Sequence, residues 1–162
     1  ILTPPPSSML VNFFQLSYNL STDSRQSQVQ KKGIIAMKLD IDCIRDIIIA
    51  ISNNLVPDSY GYVEPVKPLD LAQSHLTQYP TNEVLYWIRQ LMDSQIIIPG
   101  AKYVDEPLPY IDDLSISGYQ FINATEENSI WEKIKPKLLS VAISSVSVLI
   151  QSAIELGISC IV

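Results

Sequence analysis

Near the C-terminal third of the chain, LSISGYQFI (Leu114–Ile122) is followed within a few residues by SIWEKIK (Ser129–Lys135). An apolar residue leads into Ser115, which is placed to cap a helix over Ile116 to Ala124. A short break follows, and Ser129 with Glu132 has the spacing of a capping box for a second helix. Trp131 and Ile134 fall on one side of that helix, and Pro136 predicts a kink or restart. Two short capped helices with an anchoring Trp cannot bury their apolar sides alone. They close a small domain whose other elements must lie upstream.

Those elements are legible. Asp40 is placed to cap a first helix, with Asp42 in its first turn. Ile41, Ile44, Ile48 and Ile51 recur at spacings of three and four, which makes one apolar face. Asn53, Asn54 and Pro57 end it. Tyr60 to Val63 reads as a short strand cut by Pro65, and Leu69 to Leu76 as a second helix with Pro68 at its start. Thr81 or Asn82 is placed to cap a third helix with a stripe of Val84, Leu85, Ile88, Leu91 and Met92. Ile96 to Ile98 reads as a strand entering the Pro99–Gly100 turn, Ala101 to Pro109 as an excursion, and Tyr110–Ile111 as a returning strand. The order helix, short strand, helix, helix, hairpin predicts an α+β, mainly α, winged-helix-like domain over residues 37–137, with the hairpin as a small wing.

Both ends differ from that domain. Residues 1–36 open with three prolines and continue in a polar run rich in Ser and Gln (Ser21–Lys32), with little periodicity. They read as a disordered or spurious N-terminal extension. Met37 is the natural start, and Lys31-Lys32-Gly33 is encodable by a purine run resembling a ribosome-binding site; a genuine disordered arm is the alternative. Met9 to Phe14 is too short, and lacks the basic flank, for a secretory signal. From 138 to 162 the chain is apolar and predicts a C-terminal helix. Leu139, Ile143, Val146, Ile150, Ala153, Gly157 and Cys160 repeat at four and three as a seam. Ser140, Ser144, Ser147, Gln151 and Glu155 form a polar stripe. That pattern predicts docking on the domain or pairing with another copy. The segment is long enough for a membrane span of about twenty residues, but the stripe makes a span the weaker reading.

The opening MKLDIDCIRDI (Met37–Ile47), the helix EVLYWIRQL (Glu83–Leu91), LSISGYQFI and IWEK (Ile130–Lys133) resemble, in that order, the segments of a bacterial and prophage family known as domain of unknown function 2513. The resemblance covers about residues 37–140. It implies a winged-helix-like fold and a prophage or mobile-element origin, and it implies no activity. Two positions depart from the family pattern: Asp93-Ser94 where a turn glycine is usual, and Tyr119 where a histidine is usual.

Charge and residue types narrow the function. From Met37 onward 8 Lys and Arg stand against 16 Asp and Glu, a net of −8, which removes the cheapest source of nucleic-acid affinity. A single histidine, His75, rules out a multi-histidine metal site. Cys43 and Cys160 read as reduced, buried thiols of a cytoplasmic protein. Asp40, Asp42 and Asp46, and the pair Asp112-Asp113, are explained by capping and surface charge. Ser117-Gly118 lacks the preceding glycine of a nucleophile elbow, no Gly-rich phosphate loop occurs, and Cys43 with His75 is a dyad in principle only. The chain therefore reads as a non-enzymatic module with no catalytic, cofactor or metal residues, which binds a protein partner or itself. Its expected contacts are Tyr86, Trp87 and Arg89 on the third helix, with Trp87 half-exposed, and Ile143, Val146 and Ile150 on the C-terminal seam. The alternative is a DNA-binding regulator that reads bases with Asn82, Arg89 and Gln90 and reaches DNA with Lys102 of the wing. Lys133, Lys135 and Lys137 form a small basic cluster that would suit a phosphate or anionic lipid. A membrane-associated protein, through 138–162, is the second alternative.

Overall fold

The computed structural model describes residues 38–162; the expectations for residues 1–36 lie outside the described residues. Among these, six helices and one two-stranded antiparallel sheet follow in the order α1 (Ile41–Asn54), α2 (Pro68–Ser74), α3 (Thr81–Asp93), β1 (Ile97–Pro99), β2 (Ile111–Leu114), α4 (Ile116–Thr125), α5 (Asn128–Ser140) and α6 (Val146–Ile161). The fold is α+β and mainly α. Leu39–Val162 form one compact unit.

The first helix forms as its sequence dictates. The Asp40 side chain accepts from the Cys43 N–H at 2.9 Å, and Ile41, Ile44, Ile47, Ile48 and Ile51 are buried in one core. The strand expected at Tyr60–Val63 does not form. Asp58 instead gathers the N–H groups of Tyr60 and Tyr62 at 2.9 and 2.8 Å, and Gly61 takes φ +82°. This tight turn leaves only a single bridge between Pro57 and Val63. The extended pairing moves downstream, where Val66 and Ile111 exchange both backbone bonds alongside β2.

Two cap assignments and the reading of Pro136 need correction. Pro80, not Thr81 or Asn82, occupies the N-cap position of α3, with no side-chain cap. Glu127, not Ser129, precedes α5, and the Ser129 hydroxyl donates to the Glu127 carboxylate, so the capping box with Glu132 does not assemble. Pro136 does not restart the helix: α5 runs through it to Ser140. Pro136 and Glu132, whose carbonyl loses its helical donor, are both exposed, so that carbonyl is not sealed from solvent. The Ser115 cap is as expected, accepting from Gly118 N–H at 3.3 Å.

The segment 138–162 is not one helix, and 138 is not a domain boundary. Leu138 belongs to α5 and is fully buried; Val141 to Ser145 break the chain; Ser145 caps α6. The seam beyond the break faces the domain. Val146 is 9% exposed and Ile150 1%, Ala153 and Gly157 are buried, and Ile143 and Cys160 are half-buried. The polar stripe faces solvent. Helix α6 packs on α4 and α5, and burying each large aliphatic residue there contributes about 1.5–3 kcal/mol. The α4 crossing is close: a Cβ on Gly157 would lie 2.3 Å from the Ala124 carbonyl oxygen.

Arg45 ties the first helix to α4 and α5. It is 8% exposed within the isoleucine face. Its Nε donates to the Thr125 carbonyl at 2.9 Å, and Nη2 donates to the Glu126 carbonyl at 2.7 Å and to Asn128 Oδ1 at 2.9 Å. Its guanidinium lies 5.3 Å from the centre of the Trp131 ring. The carbonyls it takes are those left without helical donors at the end of α4, where a cation also complements the helix dipole.

Arg45→Ala is expected to lower the unfolding free energy by about 3 kcal/mol, because buried carbonyls lose a charged donor. Arg45→Lys should recover little, since one ammonium cannot reproduce the fork; urea denaturation measures both. Gly157→Ala gains about 1 kcal/mol of helix propensity, yet the clash with Ala124 should dominate. A net loss of about 1–3 kcal/mol is expected in thermal melts.

Candidate functional site

Helix α3 and the hairpin meet at a short, well-determined corner. The N–H groups of Ser94, Gln95 and Ile96 return to the carbonyls of Gln90, Met92 and Leu91 at 3.0, 2.9 and 2.9 Å. Gln95 sits in the left-handed region at φ +59°. This is a Schellman ending, accompanied by packing of Ile96 with Leu91 in the core. The conformation usually given to glycine thus falls on Gln95, two residues beyond Asp93. The corner turns the chain directly into β1. The hairpin pairing continues past its strands through Gly100 N–H to Tyr110 O and Tyr110 N–H to Ala101 O, at 2.7 and 2.9 Å. Residues 102–109 then project as a loop, pinned by buried Leu108 and by Tyr103 stacked on Tyr110 at 4.7 Å.

Val84, Trp87, Ile88 and Leu91 form the buried side of α3, and Asn82, Tyr86, Arg89 and Asp93 form its exposed side at spacings of four, three and four. Trp87 is therefore not the half-exposed contact expected. At 6% exposure it belongs to the core, because position 87 is three after Val84 and four before Leu91. Tyr86 meets it edge-on, with ring centres 5.0 Å apart and planes at 78°. The indole Nε1 of Trp87 has no hydrogen-bond partner among the described residues.

Arg89 and Lys102 come together in a cleft of about 400 Å³ between the last turns of α3 and the hairpin loop. Met92, Leu108, Pro99, Pro107 and Pro109 supply the walls, and Asp93 is its acidic member. Asn82 lies exposed at the start of α3 and Gln90 is half-buried; neither lines the cleft. The ion pairs among the described residues are Arg45 with Asp46 and Lys135 with Asp42, so neither Arg89 nor Lys102 is neutralised by one. Sequence spacing nominated both cations separately; that they share a cleft, and that prolines wall it, follows only from the corner at Gln95 and the folded-back loop. Of the other expected contacts, Val146 and Ile150 are in the core and Ile143 is packed against it, because α6 folds back on α4 and α5. The seam in this fold is an internal contact.

A second, polar depression of about 280 Å³ lies between the end of α1 and α2, lined by Asn54, Glu64, Lys67, Asp70, Ser74 and His75. It does not assemble the Cys43–His75 dyad. Cys43 is fully buried and lines no part of it, and burial, reinforced by the charges of Asp40, Glu83 and Asp46, pushes its thiol up to about 12. Such a thiol is not a nucleophile near neutral pH. Asp40, Asp46 and Asp113 are engaged structurally. Asp40 caps α1, Asp46 accepts from the Tyr79 hydroxyl at 2.8 Å, and Asp113 accepts from Tyr119 at 2.6 Å. That last bond, then burial and the same carboxylate's charge, hold the Tyr119 phenol up at about 12, so Tyr119 is a neutral donor. No group of His, Cys, Asp and Glu able to hold a metal ion occurs among the described residues.

The basic cluster on α5 is divided. Lys135 turns to Asp42 of α1, whose other oxygen accepts from Trp131 Nε1 at 2.7 Å, while Lys133 and Lys137 face solvent. Burial pushes the Asp42 carboxyl up, but the bonds from Lys135 and Trp131 and the charges of Lys135 and Arg45 outweigh it and leave it below its ordinary value. Its stabilising contribution is therefore complete above the unfolded value near pH ~4 and is lost as the pH falls through the lower folded value. Asp42→Asn keeps an acceptor for Trp131 and should cost less than about 1 kcal/mol at pH 7, the pair being partly exposed. Its deficit against the native chain should shrink below pH ~4. Asp42→Ala strands the buried indole N–H and should cost about 1–3 kcal/mol. Urea titrations across this pH range read both.

Among the described residues no helix is long and apolar enough to cross a membrane; α6 has 16 residues. No curated protein and no solved structure matches the chain. A family model described as a hypothetical protein, DUF2513, matches residues 38–144. The matched span runs from the cap of α1, through the α3 corner and the cleft, to the break before α6, and the chain belongs to the DUF2513 family.

Proposed function

We propose that this chain is a non-enzymatic recognition module that binds a protein partner through the exposed side of α3 and the adjoining cleft. The observation that carries this reading is the placement of exposed Tyr86 and Arg89 beside a cleft walled by Met92, Leu108 and three prolines. Aromatic and arginine side chains over apolar walls suit a side chain of another protein. The net charge of −8 from Met37 onward works against a phosphate backbone. The engagement of Cys43 and the carboxylates in packing, caps and bonds favours a binding role over a catalytic one. Self-association through Ile143, Val146 and Ile150 would require α6 to leave its own core, so the partner surface is assigned to α3 instead. We take the setting to be cytoplasmic and prophage-associated, as the family resemblance suggests.

A second reading is a winged-helix DNA-binding regulator. One observation favours it: Arg89 and Lys102 line the same cleft, with Asn82 and Gln90 on the same helix. Asp93 in the cleft and Asp105 and Glu106 in the loop oppose it.

A photo-crosslinking side chain at position 86 is expected to trap a protein in cells, and one at position 151, on the solvent side of α6, is not. Arg89→Glu should cut the position-86 adduct by about tenfold, as for a central interface residue. Equal trapping at both positions, or none, sinks the protein reading. In a gel shift with random-sequence duplex at low ionic strength no retention is expected. A shift abolished by Arg89→Glu and steeply weakened by added salt would replace the protein reading with the DNA one.

A further inference from the structure

The cleft beside α3 reverses the sign of the surface around it. Its charged members are Arg89 and Lys102 against Asp93, a local excess of one positive charge on a body carrying −8. Neither cation has an ion-pair partner among the described residues. The end of α3 does not cancel this, because the carbonyls of Gln90, Leu91 and Met92 are already taken by the N–H groups of Ser94, Ile96 and Gln95. The remaining walls are Met92, Leu108 and prolines, which lose little freedom when covered. A volume of about 400 Å³ lies in the range of ligand clefts but admits only one or two side chains.

We infer that the cleft takes an acidic peptide segment of the partner, seating a Glu or Asp carboxylate between Arg89 and Lys102 and an adjacent apolar side chain against Met92 and Leu108. This deepens the reading of α3 as a partner-binding face and rests on it. The forked guanidinium of Arg89 matches a carboxylate in two parallel bonds, and Lys102 adds a point charge from the hairpin loop. Asp93 in the cleft, and Asp105 and Glu106 in the loop that carries Lys102, oppose the incoming carboxylate and limit its affinity. The acidic body gives no long-range attraction for such a segment, so selection occurs at contact, where the carboxylate meets both cations and the apolar neighbour meets the walls.

The test uses the full chain and a fluorescein-labelled octapeptide library. The central residue is Glu, Gln or Lys, and its two neighbours run over all apolar residues; binding is read by fluorescence anisotropy. The best Glu-centred peptides are expected to bind at least about tenfold more tightly than their Gln counterparts, the scale of a charge-assisted paired bond. Arg89→Gln should remove that preference, Lys102→Gln should reduce it, and Asp93→Asn should tighten Glu-centred peptides by about twofold to fivefold. All three side chains are exposed, and circular dichroism of each variant checks that it folds. Asp93→Asn weakening the best peptides, or a Lys-centred preference, overturns the proposal. So does glutarate alone binding as tightly as the best peptide, which would make this a small-molecule site. If no Glu-centred peptide surpasses its Gln counterpart while position 86 still traps a protein in cells, the acidic assignment fails and the partner-binding face stands. If position 86 traps nothing and DNA is retained, both fail.

Discussion

Arg45 brings a full positive charge to the junction of α1, α4 and α5, where it is nearly sealed from water. Three bonds to Thr125, Glu126 and Asn128, and the face of Trp131, make that burial tolerable. The partners are chain ends that need a donor: α4 terminates in carbonyls without helical N–H groups, and α5 begins after two intervening residues. One side chain therefore fixes where α4 stops, how α5 starts and how both lie on the first helix. Asp42, one helical turn before Arg45, repeats the tie from the other side by holding Trp131 and Lys135. With these elements fixed, α6 has a groove to fill, and Gly157 lets it approach Ala124 closely enough to do so.

The same division between buried and exposed sides governs the candidate site. Trp87 and the seam of α6 are the most apolar features the chain offers outside its obvious core stripes, and both are taken inward. What remains at the surface of α3 is polar and aromatic: Asn82, Tyr86, Arg89 and Asp93. The cleft arises because the Schellman ending at Gln95 sends the chain straight into β1, and the hairpin loop folds Leu108 back toward α3. A cation from a helix and a cation from a loop then face one space. Neither needs to be unusual in itself; their pairing, and the absence of an ion-pair partner for either among the described residues, gives the cleft its chemistry.

Much of this was legible from local pattern. The isoleucine spacing and Asp40 determine α1; Ser115 determines the start of α4; the run of three isoleucines before Pro99 determines one strand of the hairpin. Trp131 was readable as a core anchor because it shares a face with Ile134. The α3 stripe is readable too, although Trp87, expected to be half-exposed, sits within it. The misreadings have a common origin. Ser129 with Glu132 and Thr81 carry the right chemistry for caps, but Glu127 and Pro80 occupy those places because neighbouring elements fix where each helix begins. The Tyr60–Val63 strand lost to a turn organised by Asp58, a short-range bond that outweighs the β preference of its tyrosines. An arginine at position 45, inside an isoleucine face, was the one visible sign of the clamp; its partners are some eighty residues away.

By itself the sequence determined where most of the helices lie, which side of each is apolar and the acidic balance of the domain, because these depend on spacing and residue type within a few turns of chain. Tertiary structure alone decided between docking and pairing for the last helix, and decided that Lys135 belongs to Asp42 and that Arg89 and Lys102 share one cleft. Each of these depends on two segments distant in sequence being brought within a few ångströms, and local periodicity carries no information about which of several apolar faces will meet.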